Sequence, residues 1–232
     1  MKQTDKGIIL NRISYGDSSF IVTVYTLEKG IQKFIFQGAK KKKVPIYPLL
    51  IAEITYYKRP DSELGKLTAV EAKNHLQELT FDPIKSVISF FIADVLLKCL
   101  KHEYEDTELY FFLESFIQAI NDADDLSHFP IHFLTEFSKH LGICPNVLDE
   151  NPRYFNLIDG ELSNQKPIGD IYSTDEIATI IYDCIENQIT AQKFSKLIRK
   201  DALEAMIRYY QMHIPQFGDL TTLAIIDDIL YK

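Results

Sequence analysis

Over roughly the first 70 residues short apolar, β-branched and aromatic runs recur between turn residues, with a period of two clear over 31–36. Beyond Phe81 the apolar positions recur every three or four. A period of two marks strands with one buried face, and a period near 3.6 marks amphipathic helices. The strand-like stretches are residues 7–13, 20–26, 31–36, 49–57 and 64–71. Tyr15-Gly16-Asp17-Ser18-Ser19, Glu28-Lys29-Gly30 and Lys58-Arg59-Pro60-Asp61 supply turn chemistry between them. Five short antiparallel strands are too few for an immunoglobulin-type sandwich. They suit a small closed barrel of the oligonucleotide-binding (OB) kind, although other small five-stranded barrels fit the same pattern.

The helical half opens at Asp82-Pro83, an N-cap residue followed by a proline at the first helical position. Ser89, Phe90, Ala93, Leu96, Leu97 and Leu100 form the expected buried stripe of that helix. Asp106-Thr107 opens a second, with Leu109, Phe112, Leu113, Phe116 and Ile120 facing inward. A third runs over 129–141 and stops at Gly142. Residues 143–172, interrupted by Pro145, Pro152, Gly160, Pro167 and Gly169, read as irregular. Ser173 and Glu176 have capping-box spacing for a helix to Ile185, and further helices follow over 194–213 and 222–231. The expectation is an α+β chain: a five-stranded OB barrel over residues 1–80, then an all-α domain over 81–232 with an irregular segment near 143–172.

A net charge of -8 argues against a nucleic-acid protein until its distribution is seen. Residues 1–80 carry 13 Lys/Arg against 8 Asp/Glu, a net of +5, and the remainder carries 12 against 25, a net of -13. That asymmetry joins an anion-binding part to a part with another task. Hydrophobic content of 46%, polar residues at the start and no apolar run near the ~18 residues of a membrane span lead to the expectation of a cytoplasmic protein. Cys99, Cys144 and Cys184 are widely spaced with no C-x-x-C pair, which disfavours a disulfide framework and a thiolate zinc site.

Within the basic part stands Gln37-Gly38-Ala39-Lys40-Lys41-Lys42-Lys43. Four adjacent ammonium groups repel one another, so the run is expected in a solvent-exposed loop, with Gly38 supplying a positive φ to leave the strand. A cationic loop beside a strand bearing Phe34 and Phe36 offers charge for phosphates and rings for bases. A solvated hairpin tip explains the bare run equally well. Alternation puts Phe34 and Phe36 on one face with Lys33 and Ile35 on the other, and it makes Tyr57, on the Glu53/Thr55 side, the surface aromatic. His128, His132, Glu136 and His140 recur every four residues. Without cysteine partners or an H-E-x-x-H frame they read better as a polar, solvent-facing helix side than as metal ligands. Gly65-Lys66 lacks the upstream glycine of a nucleotide-binding loop, and no nucleophile or deaminase signature is present, so catalytic chemistry has no visible home. Lys193, Lys196, Arg199 and Lys200 cluster at near-helical spacing in the acidic half, as a solvated face or as a landing site for an acidic peptide.

The order of several short motifs resembles the bacterial RecO family of DNA-repair mediators. They are Gly7-Ile8-Ile9-Leu10, Tyr15-Gly16-Asp17, Ile21-Val22-Thr23, Gly38-Ala39-Lys40-Lys41, the Ile54-Thr55-Tyr56-Tyr57-Lys58-Arg59-Pro60 strand end, and a C-terminal Tyr209-Tyr210, Phe217-Gly218, Leu223 pattern. The resemblance implies a non-catalytic protein that needs no cofactor. It would bind single-stranded DNA, anneal complementary strands, displace the single-stranded-DNA-binding protein and help load RecA with RecR as partner. Arg12, Lys33, Lys40, Lys41, Lys42, Lys43, Tyr57, Lys58 and Arg59 would then meet DNA. Lys193, Lys196, Arg199 and Lys200 would meet the acidic tail of the single-stranded-DNA-binding protein, which family members bind through their helical domain. Two other readings share the barrel: a protein-interaction adaptor that has lost nucleic-acid binding, and an RNA-binding barrel. One departure stands out. Many members carry a four-cysteine zinc element after the Leu-Gly that ends a helix, whereas here Leu141-Gly142-Ile143-Cys144-Pro145 is followed by no cysteine until Cys184. The purified protein should therefore hold no stoichiometric zinc, and a chelator should leave its melting temperature unchanged. One zinc per chain by elemental analysis would overturn this expectation.

Overall fold

The structure, a computed structural model, describes residues 2–42, 44–59, 62–72, 78–100, 105–169, 171–187 and 194–231. Strands β1 (Lys2–Tyr15), β2 (Ser19–Thr26), β3 (Gly30–Phe36), β4 (Ile51–Tyr57) and β5 (Leu64–Ala72) close into a barrel in the order β1-β2-β3-β5-β4. All neighbours are antiparallel except β3 and β5, which pair in parallel from Lys33↔Leu64 to Phe36↔Leu67. This five-stranded closed barrel is the OB fold, and closure leaves none of its strands with an open edge. The alternating pattern explains its core: Val22, Val24, Phe34, Phe36, Ile54, Tyr56 and Leu67 point inward, and the rings of Phe34 and Tyr56 meet at 4.7 Å. Outward positions between them, Lys33, Glu53, Tyr57 and Lys66, stay exposed.

The lysine run is not an extended loop. Gly38 does take the positive φ, 72°, but the chain then winds one helical turn, α1 (Ala39–Lys42). Ala39 is buried in the barrel core beside Ile46, and that anchor draws the turn against the barrel despite its charge.

Beyond the barrel come α2 (Glu78–Phe81), α3 (Pro83–Cys99) and α4 (Thr107–Asp122). The Asp82 carboxylate caps α3 by accepting from the Ile84 and Lys85 amides at 2.7 and 3.0 Å, and Asp106 caps α4 by accepting from the Leu109 amide at 2.9 Å. The inward face of α3 matches the expected stripe at Ser89, Ala93 and Leu96 but is wider: Ile88, Phe91, Ile92 and Val95 are buried as well, while Phe90 is 53% exposed. A helix apolar nearly all round carries no period from which the buried side can be chosen. Buried Lys85 donates from Nζ to the Asn121 carbonyl at 2.6 Å, satisfying a carbonyl in the last turn of α4. The Tyr25 ring stacks with that of Tyr110 at 6.3 Å, and its hydroxyl donates to the Asp106 carbonyl at 3.3 Å. Strands give way to helices near Phe81, and by contact density α3 and α4 group with the barrel in one compact unit, residues 1–123.

The second unit, residues 124–232, contains α5 (Phe129–His140), α6 (Glu176–Ile185), α7 (Lys196–His213), α8 (Leu223–Ile226) and a π-helical turn, Asp227–Tyr231. The stretch expected to be irregular forms a four-stranded sheet instead: β6 (Asn146–Val147), β7 (Tyr154–Asn156), β8 (Glu161–Ser163) and β9 (Tyr172–Thr174), in the order β6-β8-β7-β9. Strands of two or three residues are too short to show a period. Ser173 lies in β9, so the expected capping box does not form, and α6 begins after Asp175 at a φ of 43° without a side-chain cap. Among the described residues no helix is long and apolar enough to cross a membrane.

A Cβ on Gly65 would come within 2.6 and 2.9 Å of two Phe34 ring carbons, so this glycine lets β5 approach β3. Replacing Gly65 with alanine overpacks the barrel and should lower stability by about 1–3 kcal/mol in urea unfolding, with an unchanged m-value.

Candidate nucleic-acid interface

In OB folds the β2–β3 face, with the β1–β2 and β4–β5 loops, receives oligonucleotides. Here the outer face carries a row set by strand pairing: Ile13↔Ile21, Ile21↔Ile35, Ile35↔Lys66 and Lys66↔Tyr57. At ~4.8 Å between strands the five side chains cover roughly 19 Å across the sheet. Ile13 and Tyr57 at its two ends are 58% and 46% exposed. One register step away, Lys33 stands exposed opposite Leu64 on β5.

Where β4 gives way to β5, a groove of about 550 Å³ is lined by Tyr57, Lys58, Arg59, Ser62, Leu64 and Lys66, with Ile35 and Gly65. Arg59 and Lys66 are exposed, while Lys58 is half-buried with its Nζ donating to Gln32 Oε1 at 2.6 Å. Gln32 is itself buried, and its amide donates to the Lys29 and Ile31 carbonyls, so the lysine is held by a fixed acceptor. The groove thus combines one exposed ring with a set of cations, and its polar lining suits a phosphodiester backbone better than an apolar ligand.

The structure divides the nine residues singled out on the barrel. Tyr57, Lys58 and Arg59 meet in the groove, and Lys33 lies on the adjoining strand face. Arg12 and Lys40 come together elsewhere, both directed at the Phe20 ring, with Arg12 Cζ 5.1 Å and Lys40 Nζ 5.4 Å from its centroid. Lys41 is exposed on α1; Lys43 and the side chain of Lys42 lie outside the described residues. Sequence reasoning missed Lys66, which it weighed only as part of a nucleotide-binding loop. The alternation of β5, with Gly65 and Leu67 inward, marks Lys66 and Leu64 as outward. The aliphatic row Ile13, Ile21, Ile35 was equally readable as the outward partner of the Phe34/Phe36 face.

In the second unit Lys196 is exposed at the start of α7, beside Leu197 at 65% exposure. Lys200 lies 3.0 Å from Asp227 and 3.7 Å from Glu204, and the hydrogen bond and charge of Asp227 hold its ammonium above the ordinary lysine range. Arg199 folds back to donate from Nη1 to the Phe194 carbonyl at 2.5 Å. Lys193 lies outside the described residues. The three described cations of the spacing argument therefore sit in different local settings. The histidine stripe faces solvent only at its end, where His140 is exposed. His128 and His132 are half-buried, and burial pushes both imidazoles below their ordinary value, with the Arg199 charge adding to the effect at His128. Among the described residues no three His, Cys, Asp or Glu side chains gather as a metal-holding group.

The family described as Recombination protein O N terminal matches residues 1–76, and that described as Recombination protein O C terminal matches residues 80–158. Curated relatives cover nearly the whole chain. A protein of Phocaeicola vulgatus named DNA repair protein RecO is 30% identical over 239 residues, spanning 99% of each chain. Proteins of the same name from Bacteroides fragilis and Christiangramia forsetii are 26% identical over 242 residues and 24% identical over 233, covering 99% and 97% of each chain.

Proposed function

The chain belongs to the RecO family, and on that premise we propose that it is a non-catalytic recombination mediator of DNA repair. In this reading it binds single-stranded DNA on its barrel, anneals complementary strands and assists RecA loading together with RecR. The observation that carries the reading is the cationic groove at the β4–β5 loop, where Arg59 and Lys66 flank the exposed Tyr57 at one end of the outward row. Annealing needs no energy input, because base pairing drives it; the protein has only to offset phosphate repulsion while leaving bases able to pair. A face of isoleucines with one ring at its end suits that task. It gives a strand backbone cations and an apolar bed without a ladder of aromatics to hold each base in a stack.

The acidic tail of the single-stranded-DNA-binding protein is the proposed ligand of the second unit. Lys196 and the positive end of the α7 dipole favour negative charge, and the adjacent Leu197 offers apolar contact. Lys200 would serve there by exchanging its contact with Asp227 for one with the tail.

Replacing Arg59 and Lys66 with alanine should weaken oligonucleotide binding with the fold intact. At ~0.7 per phosphate contact on a single strand, the log-log salt slope should flatten by about 1.4. An unchanged slope would remove the groove from the DNA path. Peptide binding separates the two units. Charge reversal at Lys196 and Lys200 should weaken anisotropy-detected binding of an acidic, phenylalanine-ended peptide and spare the oligonucleotide, and the groove variant should do the reverse. A protein that binds the peptide but no oligonucleotide at low salt is an adaptor, and one that prefers RNA oligonucleotides is an RNA-binding barrel.

A further inference from the structure

The lysine run enters the nucleic-acid reading as a set of equivalent phosphate contacts, but its first member is differently placed. Ala39, 1% exposed, seats α1 in the barrel core. The next residue then makes two bonds to the turn between β1 and β2. The Lys40 amide donates to the Ser18 carbonyl at 3.2 Å, and its Nζ donates to the Gly16 carbonyl at 2.8 Å. The same ammonium lies 5.4 Å from the centroid of the Phe20 ring, which Arg12 approaches at 5.1 Å. Gly16 has a φ of 57°, so the turn is a tight one, and its outward carbonyl is reached by a donor from outside the hairpin. Lys41, one position on, is exposed.

We propose that Lys40 is a positioning residue that ties the β1–β2 turn to α1 and fixes one loop of the nucleic-acid face, leaving phosphate contact to Lys41. The proposal rests on the nucleic-acid reading above. The physical reason is pre-organisation. A three-residue turn projecting from a hairpin would otherwise be ordered only when the ligand arrives, and that ordering is then subtracted from affinity. A single ammonium shared between a carbonyl and a ring face holds the turn in advance. With its donors turned onto the carbonyl and the ring, the ammonium makes no direct phosphate contact and so releases fewer counterions from DNA than an open lysine.

The test compares Lys40→Ala with Lys41→Ala, and Lys40→Met, which keeps the stem over Phe20, guards against a general loss of fold. Amide hydrogen exchange of the free protein is read at Lys40, whose amide is bonded to the Ser18 carbonyl of the turn, and oligonucleotide affinity is read across a salt titration. Lys40→Ala and Lys40→Met should speed exchange at this amide about tenfold or more. They should weaken binding about threefold to tenfold at every salt concentration, the cost of ordering one or two groups on binding, and change the slope by clearly less than one contact. Lys41→Ala should leave exchange alone and flatten the slope by about 0.7. Lys40→Arg, which keeps the cation and its donors, should restore slow exchange. A flattening of about 0.7 in Lys40→Ala overturns the proposal, as does unaltered exchange at this amide. If the unaltered protein binds no oligonucleotide, the nucleic-acid reading fails, and exchange at this amide still decides whether Lys40 is the clamp.

Discussion

Barrel closure depends on the parallel pairing of β3 with β5, and that pairing depends on Gly65. Beside the Phe34 ring there is room for a hydrogen and not for a methyl group. With the glycine in place, β5 lies in hydrogen-bonding register with β3 on one side and β4 on the other, and Ile35, Lys66 and Tyr57 are brought side by side. The floor of the barrel and the outward row are thus two faces of one constraint. The inward residues of these strands fill the core, and the outward ones have no choice but to form the surface where the groove opens.

The same coupling of core to surface governs the basic turn. Four adjacent ammonium groups favour an open, mutually repelled arrangement, yet a single buried alanine and one positive-φ glycine are enough to fold the start of the run back onto the barrel. Once α1 is seated, its lysines cease to be equivalent. Lys40 meets a carbonyl and a ring, whereas Lys41 projects into solvent. A charge run is therefore a poor unit of description for this surface; the unit is the individual ammonium and what stands within reach of it.

Much of the barrel was legible in the sequence because β3, β4 and β5 bury one face and leave much of the other open, so the period of two survives there. By contrast β1 and β2, buried on both sides over Gly7–Leu10 and Val22–Thr26, show instead as apolar, β-branched runs between turns. Tyr57 on the surface and Tyr56 in the core follow from that period alone. The features that escaped share a different cause. The four short strands between Asn146 and Thr174 complete no period, so the proline and glycine punctuation dominated their appearance. The inward face of α3 was hidden by excess, since Phe90 and Phe91 are equally apolar and packing selects one. Lys66 was obscured by its glycine neighbour, which suggested a phosphate loop when its task is close packing. The pairing of Lys200 with Asp227 spans 27 positions and is carried by no local spacing.

The small sheet shows how a segment of such short strands is held in place. Strands of two or three residues cannot persist alone in water, so their order has to come from what they pack on. Phe155 and Leu162 are fully buried, and the Phe155 ring meets that of Tyr209 on α7 at 5.3 Å. The Tyr209 hydroxyl donates to the Ile143 carbonyl at 2.7 Å just before β6, and His213 Nε2 lies 2.9 Å from the Leu157 carbonyl just after β7. Two side chains one turn apart on α7 thus fix both the entry to the sheet and its central hairpin. The C-terminal half of α7 is given over to this support, whereas its N-terminal turn, with Lys196 and Leu197, stays open to solvent. A rigid helix anchored along one half presents the other half in a fixed position, and that is what a docking site for a flexible, charged peptide requires.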